Sequence, residues 1–228
     1  KRLDSICYVA RERGVGIFFD GEETWIQDPI DRLAIELMGV YNKERVIVYN
    51  TYQLYRSDRL RFLELSHKIA AEGNFILGAK LVRGAYMEKE RERAQLKNYQ
   101  DPICANKAET DQNFDDVLKY MFDHLDDMAI FCGTHNEESS YLFMDMIENS
   151  KYDKTDKRLW FGQLYGMSDN ISYNLSDQGY NVAKYLPFGP VKDVMPYLIR
   201  RAEENTSVAG QTNRELDLIK IEKKRRKV

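Results

Sequence analysis

The sequence has no run of about 18 apolar residues, so no membrane-spanning helix is expected. It does not open like a signal peptide: Lys1-Arg2-Leu3-Asp4 leads into an amphipathic stretch rather than an apolar core. No G-x-G-x-x-G turn, no phosphate-binding G-x-x-x-x-G-K-[ST] loop and no G-x-S-x-G elbow occurs. Cysteine is scarce: Cys7, Cys104 and Cys132 make no C-x-x-C pair. That argues against a disulfide framework and for a reducing compartment. Cys132 and His135 have C-x-x-H spacing but no second pair, so no metal site is expected. Positive charge is not in excess either. The net charge of -3 gives no electrostatic basis for broad nucleic-acid binding.

What is present is a soluble, single-core composition. The 228 residues are 43% hydrophobic and 31% charged, with a mean hydropathy of -0.59. Short apolar runs alternate with helical patterns. Strands are expected at 15–20, 45–50, 75–82, 128–132, 159–164 and 182–186. Helices are expected at 29–41, with Asp28 as cap and Pro29 in its first turn, and from Ser57 to a stop at Gly73. Others are expected at 111–125, 137–149 and 191–204, with a charged insertion after strand 75–82. Strands joined by helical crossovers cannot pair as hairpins, so the class is α/β with a parallel sheet. A barrel and a doubly wound open sheet both fit this periodicity. No linker interrupts the chain; 206–228 reads as a tail, its basic end (Lys223-Lys224-Arg225-Arg226-Lys227) as a solvated, frayed terminus.

In β/α folds, function collects at the C-terminal ends of the strands. Here those ends carry Asp20 with Glu22 and Glu23, then Tyr52-Gln53, Arg83-Gly84-Ala85-Tyr86, Thr134-His135-Asn136, Gln163-Leu164-Tyr165-Gly166 and Tyr185-Leu186-Pro187-Phe188-Gly189. Turn chemistry alone would explain some of these glycines and caps. Polar, aromatic and glycine residues at the same end of every strand point to a site. Arg200-Arg201 sits on the last helix of the series, with Glu204 one turn on. Two planar guanidinium groups suit a carboxylate.

Five segments together resemble the proline dehydrogenase family: IFFDGEETWIQDPID (17–31), VYNTYQLY (48–55), KLVRGAY (80–86), THN (134–136) and YLPFG…YLIRRAEEN (185–205). The resemblance implies a distorted (βα)8 TIM-type barrel that holds FAD without a Rossmann domain. It implies oxidation of L-proline to Δ1-pyrroline-5-carboxylate, with electrons passed to a membrane quinone. By the same resemblance, Arg200 and Arg201 clamp the proline carboxylate and Glu204 supports an arginine. Tyr185, Tyr86 and Leu164 line the substrate pocket, and Asp20 lies at its floor. FAD falls to Gln53, Lys80, Val82, Arg83, Gly84, Ala85, Thr134, His135 and Asn136. The implied location is peripheral to the bacterial inner membrane, or the matrix side of the mitochondrial one.

The family barrel has eight strands and this sequence shows six. By comparison the first two are missing, with a second-strand lysine that contacts substrate, so the chain is expected to be a C-terminal portion and the isolated portion unstable or inactive. No aldehyde dehydrogenase domain follows, which suits a monofunctional enzyme. Rival readings are a hydroxyproline dehydrogenase, another FAD barrel such as methylenetetrahydrofolate reductase, and a flavin-binding module without a substrate site. The Arg-Arg…Glu-Asn helix argues against the second, and Tyr185, which leaves little room for a ring hydroxyl, favours plain proline.

Overall fold

A computed structural model of the chain describes residues 1–207 and 209–226, with side chains at all of these except 200 and 202–215. Strands β1 (Ile17–Phe19), β2 (Val48–Gln53), β3 (Leu77–Val82), β4 (Met128–Gly133), β5 (Leu159–Leu164) and β6 (Val182–Tyr185) form one sheet. Around it run α1 (Arg2–Arg13), α2 (Thr24–Tyr41), α3 (Arg59–Gly73), α4 (Met87–Lys97), α5 (Lys107–Asp123), α6 (Glu137–Glu148), α7 (Asp169–Asp177), α8 (Val191–Ser207) and α9 (Ala209–Arg226).

Strand order decides between the two architectures. Every pairing is parallel, and the order follows the sequence, β1-β2-β3-β4-β5-β6. Right-handed crossovers that never change direction leave all helices on one face. A doubly wound sheet must reverse its order to cover the other face. This sheet does not reverse, so its bare face is protected by curling. The result is a half-barrel of six strands. At the mouth, burial and then the charge of Asp20 beyond β1 raise the pKa of the Tyr185 hydroxyl at the end of β6.

The period of two along each strand divides the two faces. On the convex face Leu77, Ala79 and Leu81 of β3 and Met128, Ile130 and Cys132 of β4 are fully buried, in one core with Phe114, Val117, Leu118 and Met121 of α5. Each large apolar side chain so buried contributes about 1.5–3 kcal/mol against solvent exposure. The concave face alternates with these. Phe18 stacks at 5.0 Å on Tyr49 and at 4.6 Å on Phe131. Gly162 makes room beneath them, because a Cβ there would stand 2.2 Å from the Phe131 ring.

Several elements differ from the sequence expectation. β2 runs to Gln53, three residues beyond the expected end, which brings Thr51 and Gln53 into the sheet. α2 begins at Thr24, so Pro29 lies inside the helix rather than at its start. The reason is remote: Thr24 N and Oγ1 both donate to the Glu90 carboxylate, each at 2.7 Å. α3 is capped by Asn74 in the left-handed region (φ 51°), with Gly73 as its last residue. The charged insertion contains α4, and the chain end expected to fray is helical through Arg226. The cysteines are buried and unpaired.

Candidate active site at the strand ends

The concave face carries its polar residues at the carboxyl ends of the strands. Lys80 of β3 ion-pairs with Asp20 and lies 5.6 Å over the Phe18 ring. Facing the same way on β2, Gln53 donates from Nε2 to the Glu22 carbonyl (2.8 Å) and to the Tyr55 hydroxyl (3.2 Å). Its Oε1 is buried with no partner, as is the Oγ1 of Thr51 one step back on that face. Such an orphaned acceptor costs about 1–3 kcal/mol until a donor reaches it.

Beyond β3 the backbone turns outward. Gly84 and Ala85 are exposed. A Cβ on Gly84 would meet Tyr55 Cγ and Met87 Cγ at 2.8 Å, so only glycine lets the chain pass there. Tyr86 donates from its hydroxyl to a Glu22 carboxylate oxygen at 3.0 Å. Val82 faces inward beside Gln53 by register.

Arg83 is committed to structure on three sides. It donates to Asp111 (2.7 Å), Thr134 Oγ1 (2.8 Å) and Ser139 Oγ (2.9 Å), and its guanidinium lies 4.1 Å over the Phe114 ring. It therefore holds the Thr134-His135-Asn136 segment in place. Thr134 Oγ1 in turn accepts from Asn136 N, and Asn136 caps α6 by accepting from Ser139 N, both at 3.1 Å. His135 Nδ1 shares a hydrogen bond of 2.9 Å with Ser168. Burial, then the charges of Lys184 and Arg201, push its pKa down to about 4, so the ring is neutral at pH 7.

On the far side, Leu164 and Tyr185 are register partners facing inward. Tyr185 is 47% exposed and packs edge-on against Tyr197 of α8 at 5.4 Å. Arg201 lies 5.5 Å from the Tyr197 ring, and its effect on His135 places its charge at the mouth. The structure thus brings Asp20, Gln53, Lys80, Val82, Gly84, Ala85, Tyr86, Thr134, His135, Leu164, Tyr185 and Arg201 around one concave end. The side chains of Arg200 and Glu204 lie outside the described residues. Sequence reading missed Thr51, Ser168 and Glu90. Thr51 was detectable, since it stands two residues from Gln53, the strand period.

The family model described as Proline dehydrogenase matches residues 2–214. Mitochondrial proline dehydrogenase 1 of Caenorhabditis elegans is 38% identical over 231 residues, covering 99% of this chain and 38% of that protein. The carbapenem antibiotics biosynthesis protein CarD of Pectobacterium carotovorum subsp. carotovorum is 40% identical over 227 residues, covering 100% of this chain and 58% of that one. Among solved structures, proline utilization A (PutA) from Bdellovibrio bacteriovorus, inactivated by N-propargylglycine, superposes with a TM-score of 0.83 at 27% identity. The match covers 91% of this chain and 22% of that one. The chain thus spans about two fifths of the length of the curated worm relative. With strand order, strand-end residues and a family match over nearly the whole sequence in agreement, this chain belongs to the proline dehydrogenase family.

Proposed function

We propose that this chain forms the cofactor- and substrate-facing wall of an FAD-dependent proline dehydrogenase. The enzyme oxidises L-proline to Δ1-pyrroline-5-carboxylate, the first step of proline breakdown to glutamate, and passes the electrons to a membrane quinone. The observation that carries this reading is the buried, unpartnered Oε1 of Gln53, next to Val82 in the sheet and on the concave face that holds the Lys80 cation. A flavin offers what that oxygen lacks, N–H and ribityl O–H donors. Gln53, Lys80, Val82, the open backbone of Gly84–Ala85, and the Thr134-His135-Asn136 segment would hold it. When bound, the flavin supplies the two-electron redox chemistry.

The remaining work falls to this chain's own residues. Arg201, with Arg200, binds the substrate carboxylate and so fixes the ring's orientation. Leu164 and the rings of Tyr185 and Tyr86 give the methylene groups an apolar wall. Lys80, paired with Asp20, would set its ammonium group beside the bound cofactor, where a cation offsets the negative charge that reduction brings. His135, kept neutral, can hold one proton at a fixed ring nitrogen without adding a further cation. Among the described residues no helix is long and apolar enough to cross a bilayer. A peripheral association with the membrane that holds the quinone suits this reading.

The test is to express the full reading frame that contains these residues and measure proline-dependent reduction of a quinone or dye, alongside the flavin absorption spectrum. Bound flavin and proline-dependent turnover are expected. A protein with neither would overturn the proposal, and preference for 4-hydroxyproline would redirect it.

A further inference from the structure

Glu90 is a carboxylate with no solvent exposure, on a helix that is otherwise charged and mostly exposed. Burying a carboxylate is expensive unless it is paired or hydrogen-bonded. Both of its oxygens are spent far away in sequence: Oε1 accepts from Thr24 N and Oε2 from Thr24 Oγ1, each at 2.7 Å. Thr24 is the first residue of α2, whose own N-cap, Glu23, makes no side-chain cap bond. Glu90 therefore supplies from α4 the negative charge and the acceptors that a helix N-terminus needs.

The segment this cap holds is the loop from β1 to α2, which lies directly on Gln53. A Cβ at Gly21 would stand 2.7 Å from Gln53 Cγ and Cδ. The Glu22 carbonyl accepts the Gln53 side-chain N–H at 2.8 Å. The loop and the first turn of α2 are tied to α4 and its N-cap, Tyr86. Glu22 takes the Tyr86 hydroxyl, Glu23 pairs with Lys89, and Trp25 lies 4.2 Å from the Arg93 guanidinium. Of these ties, the Glu90 contacts alone are doubly bonded to a fully buried carboxylate, so they are screened least by water and salt.

We propose that Glu90 is a positioning residue of the site: by capping α2 it fixes the β1–α2 loop, and through that loop it sets the aim of the Gln53 amide. The role rests on the reading of the concave face as the flavin wall. Glu90 touches neither substrate nor cofactor; it acts through Thr24, Glu22 and Gln53. Holding Nε2 on the Glu22 carbonyl leaves Oε1 pointing elsewhere in a fixed direction, as recognition of a donor requires.

The experiment compares Glu90→Gln, Glu90→Ala and Thr24→Val in the full-length flavoprotein, with Tyr180→Phe as a remote control that loses only its bond to Glu148. Three readouts are taken: the Gln53 side-chain amide NMR resonances, the flavin dissociation constant, and kcat against KM. Glu90→Ala should displace the Gln53 resonances and weaken flavin binding about tenfold, the loss expected for hydrogen bonds to a charged group. Glu90→Gln, which keeps an acceptor for Thr24 N and loses the charge, should stay within about threefold. Thr24→Val serves where Glu90→Ala fails to fold, and should move the same signals part of the way. Variants that melt earlier but keep the Gln53 resonances and flavin affinity of the parent would reduce Glu90 to a structural cap and overturn the proposal. If the parent binds no flavin and oxidises no proline, the functional reading falls. The Gln53 resonances then decide the role of Glu90, and an unmoved signal in Glu90→Ala or Thr24→Val overturns it.

Discussion

The two flanks of the concave mouth are built differently. On the β1–β3 flank, Asp20, Gln53 and Tyr86 are each held by named partners, and the loop above them is strapped to α4. Below, a buried network continues the order. Asp31 accepts from Gln27 (2.7 Å), Asn50 (2.8 Å) and Arg59 (2.9 Å), with Asp31 and Arg59 both 3% exposed. On the β5–β6 flank, Tyr185 is 47%, Leu186 60% and Phe188 101% exposed. On the proposed function the contrast suits the two sides: a flank that mainly receives a cofactor gains from being rigid before the ligand arrives, whereas one that admits substrate must open.

The sharpest way to break the comparison is on the rigid flank. Asp31→Ala leaves Arg59 buried without this partner and strips acceptors from Gln27 and Asn50. It should lower unfolding free energy by about 3–5 kcal/mol in urea titration. A loss below about 1 kcal/mol would mean that the network does not organise that side. Next comes His135. Its folded pKa of about 4 lies below the ordinary histidine value of 6.5, so the unfolded chain binds more protons between those values. Stability from this group is complete above pH 6.5 and falls as pH drops toward 4, by about 3 kcal/mol in all. The fall should be absent from His135→Gln in matched urea titrations across that range.

The open flank should respond in substrate binding rather than stability. Arg201→Met is expected to raise the proline KM by about tenfold or more, from the loss of a charged hydrogen-bond partner, with kcat changing less. An unchanged KM would remove Arg201 from the carboxylate site. Smallest of all, Tyr185→Phe keeps the ring that packs on Tyr197 and should change KM by less than about threefold. A larger change in steady-state kinetics would give its hydroxyl a direct role.

How much of this was legible follows from where the information lies. β3, β4 and β5 could be read to within two residues because strands in a parallel sheet are near-continuously apolar. α4 carries no apolar stripe; Glu90 and Ala94 are its buried residues. Neither periodicity nor local caps could announce it. The early start of α2 was hidden because its cap comes from the other side of β2, and Pro29 offered a plausible but false beginning. The site residues were visible as strand ends, and most as family motifs. Their division of labour was not, since nothing local shows that Arg83 is spent on Thr134 and Ser139.

The strictly sequential strand order also bears on how the molecule comes to be. Each strand finds its neighbour as soon as one more β/α unit has been added, so the wall can assemble in the order of synthesis with short loop closures. The exceptions are the ties that serve the site. The contacts of Thr24 with Glu90 and of Asp20 with Lys80 join residues 66 and 60 positions apart. On that arrangement the sheet forms piece by piece, and the first flank of the mouth acquires its shape only when the third strand and the helix after it have emerged.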